Sequence, residues 1–94
     1  MKYIDVEWKH QNIDEPTRLV SELDHHSCEI RKLEFFLDGK VGFATRHINS
    51  PGTELSSTAI PPLAEVNQSS EFNGVCISAQ IFESLWAAHA PVKA

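Results

Sequence analysis

Residues 28–47, CEIRKLEFFLDGKVGFATRH, decide the fold. Asp38-Gly39 separates two runs rich in β-branched and aromatic side chains, and Asp-Gly favours a tight hairpin turn because it tolerates positive φ. A two-residue type I′ turn at this pair predicts that Leu37 opposes Lys40, Phe35 opposes Gly42, Leu33 opposes Ala44 and Arg31 opposes Arg46. Side chains alternate along a strand, so Leu33, Phe35 and Leu37 then share one face with the small Gly42 and Ala44, a dry, low surface on which a helix can pack. The other face carries Ile30, Lys32, Glu34 and Phe36 beside Val41, Phe43, Thr45 and His47. It is expected to be at least partly wet, which leaves Phe36 and Phe43 to be explained by a partner or by a covering element.

Toward the N-terminus, residues 3–9 alternate, with Ile4, Val6 and Trp8 on one side and Asp5, Glu7 and Lys9 on the other, the period of a half-buried strand. Residues 10–16 are polar and end in Asp14-Glu15-Pro16, a loop, because proline pushes its predecessor to extended geometry and has no amide for a ladder. Residues 17–23 read as a second strand whose weaker pattern suits an edge. Asp24-His25-His26-Ser27 then turns into the central hairpin, and successive hairpins give a meander. Toward the C-terminus, residues 48–59 are rich in Asn, Ser, Pro, Gly and Thr and form a loop. Pro61-Pro62 opens a short helix with Leu63 and Val66 as its apolar side, and residues 74–77 make a short extended piece. Ser78 suits the N-cap of a helix over 78–90, in which Ile81, Phe82, Leu85, Trp86 and His89 recur at helical spacing. Trp8 and Trp86 are expected to meet between sheet and helix. The fold class is α+β: a four-stranded antiparallel β-meander with the C-terminal helix, and the short second helix, packed on one face.

Ninety-four residues with 41% hydrophobic and 22% charged content make a single domain, 1–94, with one core and no separate catalytic lobe. The net charge of −5 speaks against direct nucleic-acid binding, which needs a basic face, and favours a basic protein partner. No segment is apolar for long enough to span a bilayer and no apolar stretch follows Lys2. The cytoplasm is therefore the expected location, with Cys28 and Cys76 as free, buried or half-buried thiols.

Asp24, His25, His26 and Cys28 are the one cluster with metal-ligand chemistry, but a structural zinc site draws on two such pairs and the second is missing. Glu22, Asp24 and the adjacent histidines could do acid–base work, yet no phosphate loop, nucleophile elbow or metalloprotease helix accompanies them. No catalysis, metal or cofactor is expected. The Asn67-Gln68-Ser69 sequon, without a secretory signal, reads as a helix C-terminus. For the mixed hairpin face two readings stand: a binding patch of Phe36, Val41 and Phe43 with Lys32 and Glu34 between them, or a surface covered by the 48–59 loop or the 61–68 helix. Glu7, Glu22 and Asp24 add acidic groups to the binding reading.

Tyr3-Ile4-x-Val6-Glu7-Trp8, Asp14-Glu15-Pro16, Ser21-Glu22-Leu23-Asp24, Glu29-Ile30-Arg31-Lys32-x-Glu34-x-Phe36-x-Asp38-Gly39 and Ile77-Ser78-x-x-x-Phe82-Glu83-x-Leu85-Trp86 together resemble a small bacterial domain family of about ninety residues. Some of its members sit in polymorphic toxin loci, including contact-dependent growth inhibition systems. The resemblance covers nearly the whole chain and implies an immunity protein that binds and neutralises a cognate toxin domain, a nuclease being the expected kind. It carries no active-site residue. The partner-binding residues expected on this reading are Glu7, Glu22, Asp24, Lys32, Glu34, Phe36 and Phe43. The alternative is a small interaction or ligand-binding domain with no toxin partner, and the third reading is a minor hydrolase.

Overall fold

The protein, a computed structural model, is described here over residues 1–90. Its elements are β1 (Lys2–Trp8), β2 (Pro16–Leu23), β3 (Glu29–Phe36), β4 (Val41–Thr45), α1 (Leu63–Val66), β5 (Phe72–Ile77) and α2 (Ala79–His89). The strands form one antiparallel sheet in the order β4-β3-β2-β1-β5. The expected meander is present and is extended: the extended piece near residue 75 is a fifth strand that returns to pair with β1, Val6 lying opposite Gly74. β2 is consequently central, not an edge. Its weak alternation reflects burial on both faces, with Val20 on one side and Ser21 and Leu23 on the other.

The hairpin turn is one residue longer than a type I′ turn. Phe36 N–H donates to Lys40 O (2.9 Å) and Gly39 N–H donates to Phe36 O (3.0 Å), closing a three-residue loop of Leu37, Asp38 and Gly39. Only Gly39 has positive φ there, +87°, as in a type I turn followed by a glycine bulge. The register therefore shifts by one: Phe35 opposes Val41, Leu33 opposes Phe43 and Arg31 opposes Thr45, while Glu34 opposes Gly42 and Lys32 opposes Ala44. A one-residue slip moves a whole strand to the other face. Phe43 joins Leu33 and Phe35 beneath α2, and Phe36 lies on the opposite face.

On the first face, Phe82 and Trp86 of α2 pack on Val20 and Leu33, with Tyr3, Phe35, Val41 and Phe43 around them. Ser78 caps α2 by accepting from Ile81 N–H (3.1 Å). Ile81, expected on the buried stripe, is about half exposed. On the second face, Ile4, Val6 and Leu23 are covered by Ile60, Leu63, Val66 and Phe72. The short helix thus packs on the face opposite α2, not beside it. Trp8 also belongs to this face and stacks on Phe72 at 5.7 Å, so the two tryptophans do not meet. The odd-numbered residues of β1 face α2, which places Trp8 with Ile4 and Val6. Residues 49–56 fold over the β3–β4 part of the second face, where Thr53 is buried.

Candidate functional site

The residues expected to form a binding patch are distributed over both faces and both ends of the sheet. Glu22 is buried beneath α2, accepts from Arg31 Nε at 2.6 Å and from the Tyr3 hydroxyl at 3.3 Å. Arg31 spans from Glu22 to Glu83 on α2, and its guanidinium lies 4.8 Å from the Phe82 ring centre and 5.1 Å from that of Trp86. Its hydrogen bond to Glu83 holds that carboxyl below the usual carboxylate range and the guanidinium above its own. Burial, with Glu22 beside it, raises the Tyr3 phenol. Phe43 meets Trp86 edge-on at 6.3 Å. These are packing roles. Glu22 and Glu34, expected among the partner-binding residues, are both less than a tenth exposed.

On the second face, Lys32 lies 3.2 Å from Glu29 and 3.5 Å from Glu34, and all three are buried. The loop closes over them: Thr53 Oγ1–H donates to Glu34 (3.1 Å), Ser56 N–H to Glu29 (2.6 Å) and Lys32 Nζ to Glu54 O (3.2 Å). Of the two readings of this face, the loop cover describes Lys32 and Glu34. Asp24 shapes the β2–β3 turn by accepting from His26 N–H (2.8 Å) and Cys28 N–H (3.0 Å), and the Cys28 amide above all lowers its carboxyl. Both cysteines are free, with Cys76 exposed rather than buried. Among the described residues no three His, Cys, Asp or Glu side chains converge as metal ligands, and no helix is long and apolar enough to cross a membrane.

Phe36 and Glu7 point instead to the sheet end made by residues 9–16 and 37–40. Pro16 pairs with Phe36, so the β1–β2 loop and the hairpin tip lie side by side. The loop is fixed by its own polar groups. Asn12 N–H donates to His10 Nδ1 (3.0 Å), Asp14 N–H donates to Asn12 Oδ1 (2.9 Å), and His10 Nε2 is 2.8 Å from Pro16 O. With Nδ1 accepting, the His10 proton sits on Nε2 and points at that carbonyl. Trp8 braces the ring edge-on at 4.5 Å. This order presents Ile13, 58% exposed, in the β1–β2 loop, and the adjoining hairpin tip presents Leu37, 47% exposed. A cleft of about 520 Å³ lies at Ile13 on the Phe36 side, lined by Asp14, Phe36, Asp38, Lys40 and Pro51. On the α2 side, Leu37 borders a broader trough of about 670 Å³ with Glu7, Lys9, Val75 and the Asp5–Arg18 pair. Arg18 is engaged there, forked onto Asp5 at 2.7 and 3.0 Å and lying over Phe35. Among the described residues, Asp14, Glu15 and Asp38 make no ion pair. Exposed apolar groups ringed by unpaired carboxylates can desolvate against a protein and attract a basic one. Sequence reasoning passed over Ile13 and expected Leu37 on the dry face beneath a helix, whereas the three-residue turn leaves it exposed at the hairpin tip. For Ile13 the signal was an isolated branched apolar residue inside an otherwise polar turn.

A family model described as Domain of unknown function (DUF6881) matches residues 2–91, and the chain belongs to that family. Neither a curated protein nor a solved structure is detectably similar to it.

Proposed function

We propose, for this member of the DUF6881 family, a non-catalytic role: an immunity protein that binds and neutralises a basic bacterial toxin domain, a nuclease of the contact-dependent growth inhibition type, in the cytoplasm. The observation that carries the reading is the sheet end, where Ile13 and Leu37 stand exposed near Asp14, Glu15 and Asp38, carboxylates with no ion pair among the described residues. An inhibitor of a nuclease needs a rigid acidic surface with a few apolar anchors, and the braced 9–15 loop supplies the rigidity. The net charge of −5 supports long-range attraction. The resemblance to domains in toxin loci supports the identity of the partner.

The test is binding kinetics against the toxin domain encoded beside the gene. Ile13→Ala and Leu37→Ala are expected to speed dissociation, each by the equivalent of ~1–3 kcal/mol. Asp14→Lys with Asp38→Lys is expected to slow association and flatten its salt dependence. Unchanged rates in all three variants would place the interface elsewhere, and a neighbouring toxin that does not bind would end the immunity reading. Charge reversal at Glu22 or Glu34, both buried in ion pairs, reports on folding instead.

A further inference from the structure

Between the second sheet face and the 60–72 segment lies a cleft of about 420 Å³. Its walls are Ile4, Val6, Leu19, Ile60, Val66 and Phe72, and among the described residues the ionisable groups in its lining are the carboxyls of Glu29 and Glu65, with no cationic side chain. The cleft stays open because its cover is thin. α1 is four residues long and buries none of its side chains. Leu63 settles over Gly74, where a Cβ would lie 2.8 Å from its Cδ2, so this part of the cover is drawn toward β5 and away from Leu19.

The inner polar end is unusual in its charge. Glu29 and Glu34 share the ammonium of Lys32, so the buried triad has a formal charge of minus one, and among the described residues its other partners are dipoles: the Ser21 hydroxyl (3.0 Å) and Ser56 amide (2.6 Å) on Glu29, and the Thr53 hydroxyl (3.1 Å) on Glu34. A carboxylate offers about four lone-pair positions. On Glu29, Oε1 receives Ser56 and Lys32 while Oε2 receives only Ser21, which itself lines the cleft. Oε2 therefore has lone-pair capacity for another donor. Buried excess charge of one sign beside an apolar cavity selects an apolar body that carries the opposite charge.

We propose that this cleft binds a hydrophobic amine, a small molecule whose protonated nitrogen donates to Glu29 while its apolar body lies between Leu19, Val66 and Phe72. Its volume falls in the range of small-molecule sites, roughly 300–1,000 Å³. Carboxylate amphiphiles of the same length are rejected by the same charge. The site shares no residue with the sheet end of Ile13 and Leu37, so the two can succeed or fail separately.

The test titrates decylammonium, decanol and decanoate, each below its micelle concentration, into ¹⁵N-labelled protein. Decylammonium is expected to bind saturably, with a Kd at least about tenfold below that of decanol, and decanoate not at all. Amide shifts should centre on Ser21, Glu29, Val66 and Phe72 and spare Ile13 and Leu37. Glu29→Gln should bring the amine to the affinity of the alcohol. Val66→Trp, a filling substitution on a helix with no buried side chain, should abolish binding of both and serves as the decisive variant if Glu29→Gln does not fold. Absence of saturable amine binding, equal affinity for all three ligands, or unchanged binding in Val66→Trp would overturn the proposal.

Discussion

Gly42 shows how closely the second face is fitted. A Cβ built there would lie 2.0 Å from Thr53 Oγ1 and 3.1 Å from Thr53 Cβ, and that hydroxyl is buried and bonded to Glu34. Gly42→Ala must displace the loop or the hydroxyl, and overpacking of this kind costs ~1–3 kcal/mol. Thr53→Ala should lose stability too, through the bond to Glu34. The double variant should lose less than the two single losses combined, because removing the hydroxyl makes room for the methyl. Urea denaturation of the four proteins checks this, and strict additivity would mean that the loop moves away freely. Gly39 is different: nothing surrounds its missing Cβ, and its φ of +87° is what demands glycine. Gly39→Val should destabilise the hairpin by ~1–2 kcal/mol through backbone strain alone. At this scale the sequence was legible where geometry demands a residue type, as at Gly39 and the Ser78 cap. It was illegible for Glu22, Lys32 and Glu34, because a strand pattern tells which face a charge is on but not that an opposing charge and a loop will bury it there.

Secondary-structure elements show the same division. The helix over 79–89 follows from spacing and a cap, and Trp86 of α2 is its deepest large side chain with Phe82. Trp86→Ala should cost ~3–5 kcal/mol and is expected to lower the thermal midpoint more than any variant of α1, which buries no side chain. The hairpin was legible as a hairpin but not in register, since Asp-Gly suits both a two-residue turn and a three-residue turn ending in a glycine bulge. The difference of one residue put Phe43 in the core and left Phe36 on the other side. β5 was foreseen only as an extended piece, because its interior Asn73-Gly74 interrupts the apolar run and its pairing partner is far away in sequence. Its outer edge is closed by a side chain acting as a strand: Gly74 N–H donates to Asn67 Oδ1 (2.6 Å) and Asn67 Nδ2 donates to Gly74 O (2.9 Å). The β4 edge is closed likewise by Ser50, whose hydroxyl accepts from Phe43 N–H while its own N–H donates to Phe43 O. Exposed edges recruit other strands. Asn67→Ala should therefore speed hydrogen exchange at Gly74 and increase concentration-dependent self-association, measured by sedimentation. Unchanged exchange at Gly74 would show that the edge is protected by something other than this side chain.

For the whole molecule, the acidic composition was legible, whereas the grouping of Asp14 and Asp38 with Ile13 and Leu37 was not, because it depends on two turns meeting at one sheet end. The same charge distribution sets how stability responds to pH, with two opposed effects. At pH 7 thirteen carboxylates face eight lysines and arginines, and the resulting self-repulsion is relieved as the pH falls toward the isoelectric point near 5.4. Below that point the second effect dominates. Glu83, hydrogen-bonded to Arg31, and Asp24, bonded to the Cys28 and His26 amides, are both held below the usual carboxylate range in the folded chain. A depressed folded value means that the stabilisation is complete above the unfolded pKa of about 4 and is lost as the pH falls through the folded value. Both groups retain solvent contact, so each contributes modestly. Urea midpoints measured from pH 8 to pH 3 should rise gently to a maximum between about pH 5 and 6 and then fall below about pH 4. Asp24→Asn combined with Glu83→Gln should make the acid limb shallower while the neutral limb keeps its slope. A double variant with the wild-type acid slope would assign acid sensitivity to other carboxylates, and a wild-type midpoint that does not change from pH 5 to pH 3 would remove these two bonds from the account of stability altogether.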